Sequence, residues 1–252
     1  MMFDGACHGW ERASSEILYL YAEWLLASQT LEAKRILTKN LTLLVPIVNT
    51  DGFPTHKKNM DFEPPRIDGV DLNRNFDWNW NGIATSGGGV SDDPSSGVYR
   101  GPAPMSEPEC RVYKEAWRRL RPKHYLNCHI GGNEPIIDGY VRFPTPADKQ
   151  YQVKVYEEYK QLAQQRGQTV ISVTDDGGTG NFNSTPYHAF HIFGWACEFD
   201  ATNPSYSDLP NLFQSWLPFF ITLSHNSEAE ITSFLPLLIL VGAAYFLIKP
   251  KT

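Results

Sequence analysis

The chain has 252 residues, 42% hydrophobic and 20% charged, which supplies enough apolar material for a core and too little charge for a disordered chain. Its length fits one large domain or two small ones, and 22 basic against 28 acidic residues give a net charge of -6, without the basic excess of a nucleic-acid binder. Four cysteines in so long a chain, none in CxxC spacing, exclude a disulfide framework and make a zinc ribbon untenable.

No charged n-region followed by an apolar run opens the chain, so no secretory signal is read at its start. A candidate metal ligand already stands at His8, with few residues ahead of it to build a strand, so a chain truncated at its N-terminus is expected. Residues 14–28 set Ile17, Leu18, Tyr21 and Leu25 at helical spacing, with Glu16 near the start where the helix dipole favours an acid. Residues 41–48 (LTLLVPIV) form a continuous apolar run, expected as a strand buried on both faces, and Asn49, Asp51 and Gly52 then turn the chain. Residues 53–105 are rich in Gly, Pro, Asn and Asp and read as a long functional loop.

Residues 107–120 read as a helix with Ser106 as N-cap and Glu109 completing a capping box. Strands are expected at 124–130, 169–173 and 195–199, and helices at 148–166 and 209–225. This alternation implies an α/β fold, with a mixed, largely parallel sheet flanked by helices. Residues 231–248 (ITSFLPLLILVGAAYFLI) carry no charge and are followed by Lys249 and Lys251. As a helix they would span roughly 27 Å, enough for a hydrocarbon core of about 30 Å. The expectation is a transmembrane helix in a lipid bilayer, single-pass, its C-terminus cytoplasmic and residues 1–226 an extracytoplasmic domain. The alternative is a buried core helix, favoured by Pro236.

The chemistry gathers in few places. His8 and Glu11 lie three apart on a turn leaving a strand, and imidazole nitrogen and carboxylate oxygen are both good zinc ligands. His129 follows an apolar strand (HYLNC) and precedes Gly131 and Gly132, which makes it the best third ligand. Three protein ligands leave one position for water, the pattern of a catalytic zinc. Glu198 ends the short strand WACE, where a carboxylate needs a partner; beside a zinc ion it could take a proton from the bound water, or it could sit in a structural ion pair. Asn73 and Arg74, within GVDLNRNFDWNW (69–80), offer an amide and a guanidinium fork suited to a carboxylate, or else lie in a solvated loop.

Five blocks in order resemble the zinc metallocarboxypeptidases of the carboxypeptidase A/B/T type: His8 with Glu11; PIVNTDGF (46–53); GVDLNRNFDWNW; SDDPSSGVYRGPAPMSEPE (91–109); and LNCH ending at His129, with CEFD holding Glu198. The likeness runs from about residue 5 to about residue 225. It implies an eight-stranded mixed sheet flanked by helices, one zinc ion on His8, Glu11 and His129, and Glu198 as general base. It implies Asn73 and Arg74 as the grip on the substrate's C-terminal carboxylate, with peptide or protein C-termini as substrates. An amidase or deacylase relative and a non-catalytic, membrane-anchored metal- or peptide-binding fragment are the other readings.

Departures from the family accompany these matches. The arginine that polarises the scissile carbonyl has no clear counterpart: Lys57 stands at the aligned place and Arg66 is the nearest arginine. The stretch SVTDDGGTG lacks the expected tyrosine, Tyr187 lies nearby, and neither Asp175 nor Asp176 can be set at a pocket base. The edge strands that precede the first ligand in the family are absent from this sequence, so an open sheet edge is expected. Cys7, Cys128 and Cys197 each precede a site residue and are expected together beneath the site, since neighbours on a strand point to opposite faces.

Overall fold

Strand alternation sets the architecture. The computed structural model describes residues 1–55, 69–82, 89–131, 136–140, 144–175, 181–200, 202–228, 237–241 and 244–248. Its elements in chain order are β1 (Met2–Gly5), α1 (Arg12–Ala27), α2 (Leu31–Lys39), β2 (Leu43–Val45), α3 (Gly52–Thr55), a 3-10 turn (Leu72–Arg74) and α4 (Pro108–Leu120). There follow β3 (His124–His129), β4 (Ile136–Tyr140), α5 (Pro146–Gln165), β5 (Ser172–Asp175), α6 (Ser184–Phe190), β6 (Phe193–Glu198), α7 (Leu209–Asn226), β7 (Leu237–Val241) and β8 (Ala244–Ile248). The eight strands form one sheet in the order β5-β4-β6-β3-β1-β2-β7-β8. Five of its pairings are parallel; β4 with β6 and β7 with β8 are antiparallel.

Successive residues on the central strands enter different cores. Phe3, Leu44, Leu126, Cys128, Trp195 and Cys197 face α1, α5 and α7, where Tyr21, Tyr159, Trp216, Phe219 and Phe220 are fully buried. Met2, Leu43 and Tyr125 face the opposite side, against Tyr113 and Trp117 of α4 and against Phe76 and Phe182. Both faces are covered, as the apolar run at 41–48 implied, although only Leu43–Val45 keeps strand pairing. Helix α2 has just two buried residues, Ala33 and Ile36, so its apolar periodicity is too sparse to read from sequence. It starts where the Thr30 hydroxyl accepts from the Ala33 N–H at 3.3 Å.

Several expectations need correction. The apolar run at 231–248 is no transmembrane helix. Its described residues form β7 and β8; β7 pairs in parallel with β2 through Leu43↔Leu238 and Leu44↔Ile239. Among the described residues no helix is long and apolar enough to cross a membrane, which removes the support for the expected bilayer-spanning helix and its lipid partner. The reason is that a short apolar run suits a strand as well as a helix, and the edge of β2 offers backbone partners that settle the choice. The side of β2 away from β1 is thus paired by β7.

The capping box does not form either. Ser106 Oγ accepts from Asn75 Nδ2 at 2.8 Å and donates to Glu107 at 2.6 Å, while α4 begins at Pro108, which has no N–H to cap. The three cysteines also part company: Cys128 and Cys197 pair in register within one core, whereas Cys7 joins the other. Asn40 and Asn183, each followed by a Thr two places on, are buried.

Helix α1 lies so close to β1 that a Cβ on Gly5 would fall 2.5 Å from the Ser14 carbonyl oxygen. Gly5→Ala is expected to cost about 1–3 kcal/mol through forced separation of strand and helix. Denaturant melting measures it, and an unchanged midpoint would rule out the close approach.

Candidate metal centre

Three side chains meet at the carboxyl ends of parallel strands. His8 follows β1, His129 closes β3, and Glu11 stands at the N-cap of α1. All three are buried. Glu11 gives its helix no side-chain cap. Its carboxylate instead spans the two imidazoles: His8 Nδ1 lies 2.6 Å from Oε1, and His129 Nδ1 lies 2.9 Å from Oε2. The Ile130 N–H also donates to Oε2 at 3.1 Å. Ser14 holds the turn in place of Glu11, accepting from the Ala6 N–H at 2.8 Å and donating to the Glu11 carbonyl at 2.6 Å.

Burial alone would lower the pKa of His8 and raise that of Glu11. The charges of Glu11 and Asp71 outweigh it and hold His8 at about 9, and the charges of His8 and His129 bring Glu11 to about 2. Protein ligand atoms this close, on nitrogen and oxygen and shielded from water, suit a divalent ion of the zinc type. Among the described residues Cys7, His8 and His129 each offer a ligand atom within 4.8 Å of the others, and Glu11 bridges the two imidazoles with its separate oxygens.

A row of polar side chains stands behind His129. Residues two apart on a strand share a face, and Asp4 pairs in register with Asn127 while His129 pairs with Glu198. Asn127 Nδ2 donates to Asp4 Oδ1 at 2.5 Å. That orientation turns Asn127 Oδ1 toward His129, whose Nε2 donates to it. The other Asp4 oxygen accepts from the Tyr125 hydroxyl. Burial outweighs these bonds and raises Asp4 to about 7. The relay fixes the His129 ring with Nδ1 turned to Glu11. Composition and spacing pointed to neither Asp4 nor Asn127; their common strand parity with His129 was the available signal.

Asp71 is a second residue not singled out from sequence. It is fully buried, takes His8 Nε2 at 3.1 Å, and accepts from the Asn73 N–H at 2.9 Å to start the 3-10 turn. That turn brings the Asn73 amide nitrogen to 3.4 Å from His129 Nε2, with its oxygen taking the Phe182 N–H at 3.0 Å. Arg74 next to it donates to the carbonyls of Gly89 at 2.8 Å and Asn73 at 2.7 Å. Asn75 ties the same turn to the carbonyls of Arg100 and Ala103 at 2.8 and 3.0 Å.

Glu198 is half-buried at the end of β6, on the face of its in-register neighbour His129. Tyr187 is held away, its hydroxyl donating to Asp148 at 2.7 Å and accepting from the Thr145 N–H at 3.2 Å. Asp175 ends β5. Lys57, Arg66 and Asp176 lie outside the described residues.

Residues 1–196 match the zinc carboxypeptidase family. The metallocarboxypeptidase A of Trichophyton tonsurans is 32% identical over 135 residues, which cover 49% of this chain and 31% of that protein. The match thus spans about a third of that curated relative's length. The fold is similar to bovine thrombin-activatable fibrinolysis inhibitor in complex with tick carboxypeptidase inhibitor, with a TM-score of 0.71 at 18% identity, covering 90% of this chain and 81% of that one. Carboxypeptidase A from Helicoverpa armigera gives a TM-score of 0.64 at 20% identity, over 90% of this chain and 60% of that one. At such identities the structural likeness concerns the fold alone.

Two outcomes are expected. Asn127→Ala lowers zinc affinity about 10–100-fold by releasing the His129 ring; competition with a chelating dye measures it, and unchanged affinity would remove the relay from the site. In the metal-free chain the stabilising contribution of His8 is complete below its ordinary value of 6.5 and lost as pH rises through about 9. A metal must displace that proton, so apparent affinity should rise at least about tenfold per pH unit up to about pH 9. A titration flat from pH 6 to about 9 would contradict the protonated His8.

Proposed function

The chain belongs to the zinc carboxypeptidase family, and we propose that it hydrolyses the C-terminal peptide bond of peptides or proteins with one zinc ion held by His8, Glu11 and His129. The observation that carries the reading is the Glu11 carboxylate set between two buried imidazoles, with Glu198 in register beside His129. Every residue proposed to act lies within residues 1–226.

When bound, zinc supplies Lewis-acid activation of water and of the scissile carbonyl. The residues of the chain do the rest. Glu198 accepts a proton from the attacking water and returns it to the leaving amine, the work of a general base turned acid. Arg74 forms paired hydrogen bonds to the substrate's terminal carboxylate, and the Asn73 amide adds another. The carbonyls of Gly89 and Asn73 that take up N–H groups of Arg74 hold the guanidinium plane for that grip. A cation on the segment outside the described residues, Arg66 or Lys57, stabilises the developing oxyanion, the arginine with a fork and the lysine as a point charge.

Glu198→Gln is expected to lower release of C-terminal residues about 10²–10⁴-fold while zinc content stays at one per chain. The measurement is release of free amino acid from a panel of peptides with apolar, basic and acidic C-termini, with and without chelator. Absence of zinc-dependent release from the whole panel, or full activity in Glu198→Gln, would overturn the proposal.

A further inference from the structure

Cys7 lies just past the end of β1. Were the backbone extended through it, Cys7 and His8 would point to opposite faces. Ala6 instead takes a positive φ of 50°, in the left-handed region that non-glycine residues seldom adopt, and the alternation stops there. Cys7 Sγ comes to 3.7 Å from each ring nitrogen of His129. Cys7, His8 and His129 offer ligand atoms that lie mutually within 4.8 Å.

That separation has a chemical meaning. A tetrahedral zinc with a Zn–S bond of about 2.3 Å and a Zn–N bond of about 2.05 Å sets sulfur and nitrogen about 3.6 Å apart. Each Cys7–His129 distance is near this edge, but a sulfur equidistant from both ring nitrogens lies off the lone-pair direction of either, so ligation turns the Cys7 or His129 side chain; the grouping with His8 keeps the sulfur within reach of the same ion. The other thiols stand differently: Cys128 and Cys197 are paired in register among apolar side chains on the opposite face, and Cys110 Sγ donates to the Leu72 carbonyl at 3.6 Å.

We propose that Cys7 is a protein ligand of the metal held by His8, Glu11 and His129, its sulfur and the reacting water competing for the fourth position. The proposal rests on the metal-site reading above. On ligation the Sγ–H bond breaks, its proton passes to solvent, and a sulfur electron pair forms the bond to the metal; nothing is oxidised or reduced. Three protein ligands leave a position for water and make a hydrolytic site, whereas four close it as in structural zinc sites. The centre is closed while sulfur is bound and opens when it yields.

Cobalt(II) tests this on the full chain. A thiolate on tetrahedral cobalt gives an intense sulfur-to-metal charge-transfer absorption in the near ultraviolet, which nitrogen and oxygen ligands do not give. The cobalt-loaded wild type is expected to show this band, to keep it in Cys110→Ser, Cys128→Ser and Cys197→Ser, and to lose it in Cys7→Ser and Cys7→Ala with one cobalt still bound per chain. Loss of the band is also expected to accompany a rise in kcat with little change in KM, since water then meets no rival. One cobalt per chain in the wild type with no such band, or a band that survives in whichever Cys7 variant folds, would overturn the Cys7 proposal alone. Failure of the wild type to bind cobalt would overturn the metal-site reading and this proposal with it.

Discussion

The bridging of two buried imidazoles by one carboxylate is the interaction on which the site depends. Glu11 is nearly inaccessible, yet both of its oxygens are engaged, one by His8 and one by His129. An ionised carboxylate taken out of water is costly unless charge and hydrogen bonds answer it. Here they come from β1 and β3, two neighbours in the sheet. Glu11 sits at the N-cap of α1 without capping it, so the helix start is given over to the site and Ser14 holds the turn instead.

The sheet makes this arrangement possible through parity. Odd-numbered residues of β3 from Tyr125 to His129 share a face with Asp4 and Glu198, and the residues between them enter the apolar core under α1, α5 and α7. A polar row can then run to the carboxyl ends of the strands while the same strands bury Phe3, Leu126 and Trp195 behind it. Polar groups buried in such a row are tolerated because each member has a partner: Asp4 has Tyr125 and Asn127, Asn127 has His129, and His8 has Asp71. The cost of burial remains visible in Asp4, whose pKa is held well above that of a solvated carboxyl.

Motif order carried the likeness to the family, because His8, Glu11, GVDLNRN, LNCH and CEFD are local words with local spacing. The helices at α1, α5 and α7 were legible for the same reason: each buries a dense apolar stripe, as Ile17, Leu18, Tyr21 and Leu25 do on α1. Helix α2 was not, since two buried residues make no stripe. Strand β4 was not, since it joins the sheet antiparallel to β6 through partners far from it in sequence. The apolar C-terminal run was misread because hydrophobicity reports what is buried and not where. Only the pairing of Leu238 and Ile239 with β2 decides between strand and membrane helix.

The sequence by itself determined the α/β alternation, the family, and which side chains are candidates for the site, because these are matters of residue type and short-range spacing. Tertiary structure alone decided that Asp71 faces His8, that Asn127 passes the hold of Asp4 to His129, that Cys7 leaves its sister thiols for the side of His129, and that residues 237–241 and 244–248 contribute strands to the sheet. Each of these is a contact between residues remote along the chain or a consequence of one backbone angle, at Ala6. Neither kind of fact is written in local pattern, because strand register and the sign of φ are fixed only when neighbouring strands and helices close around them.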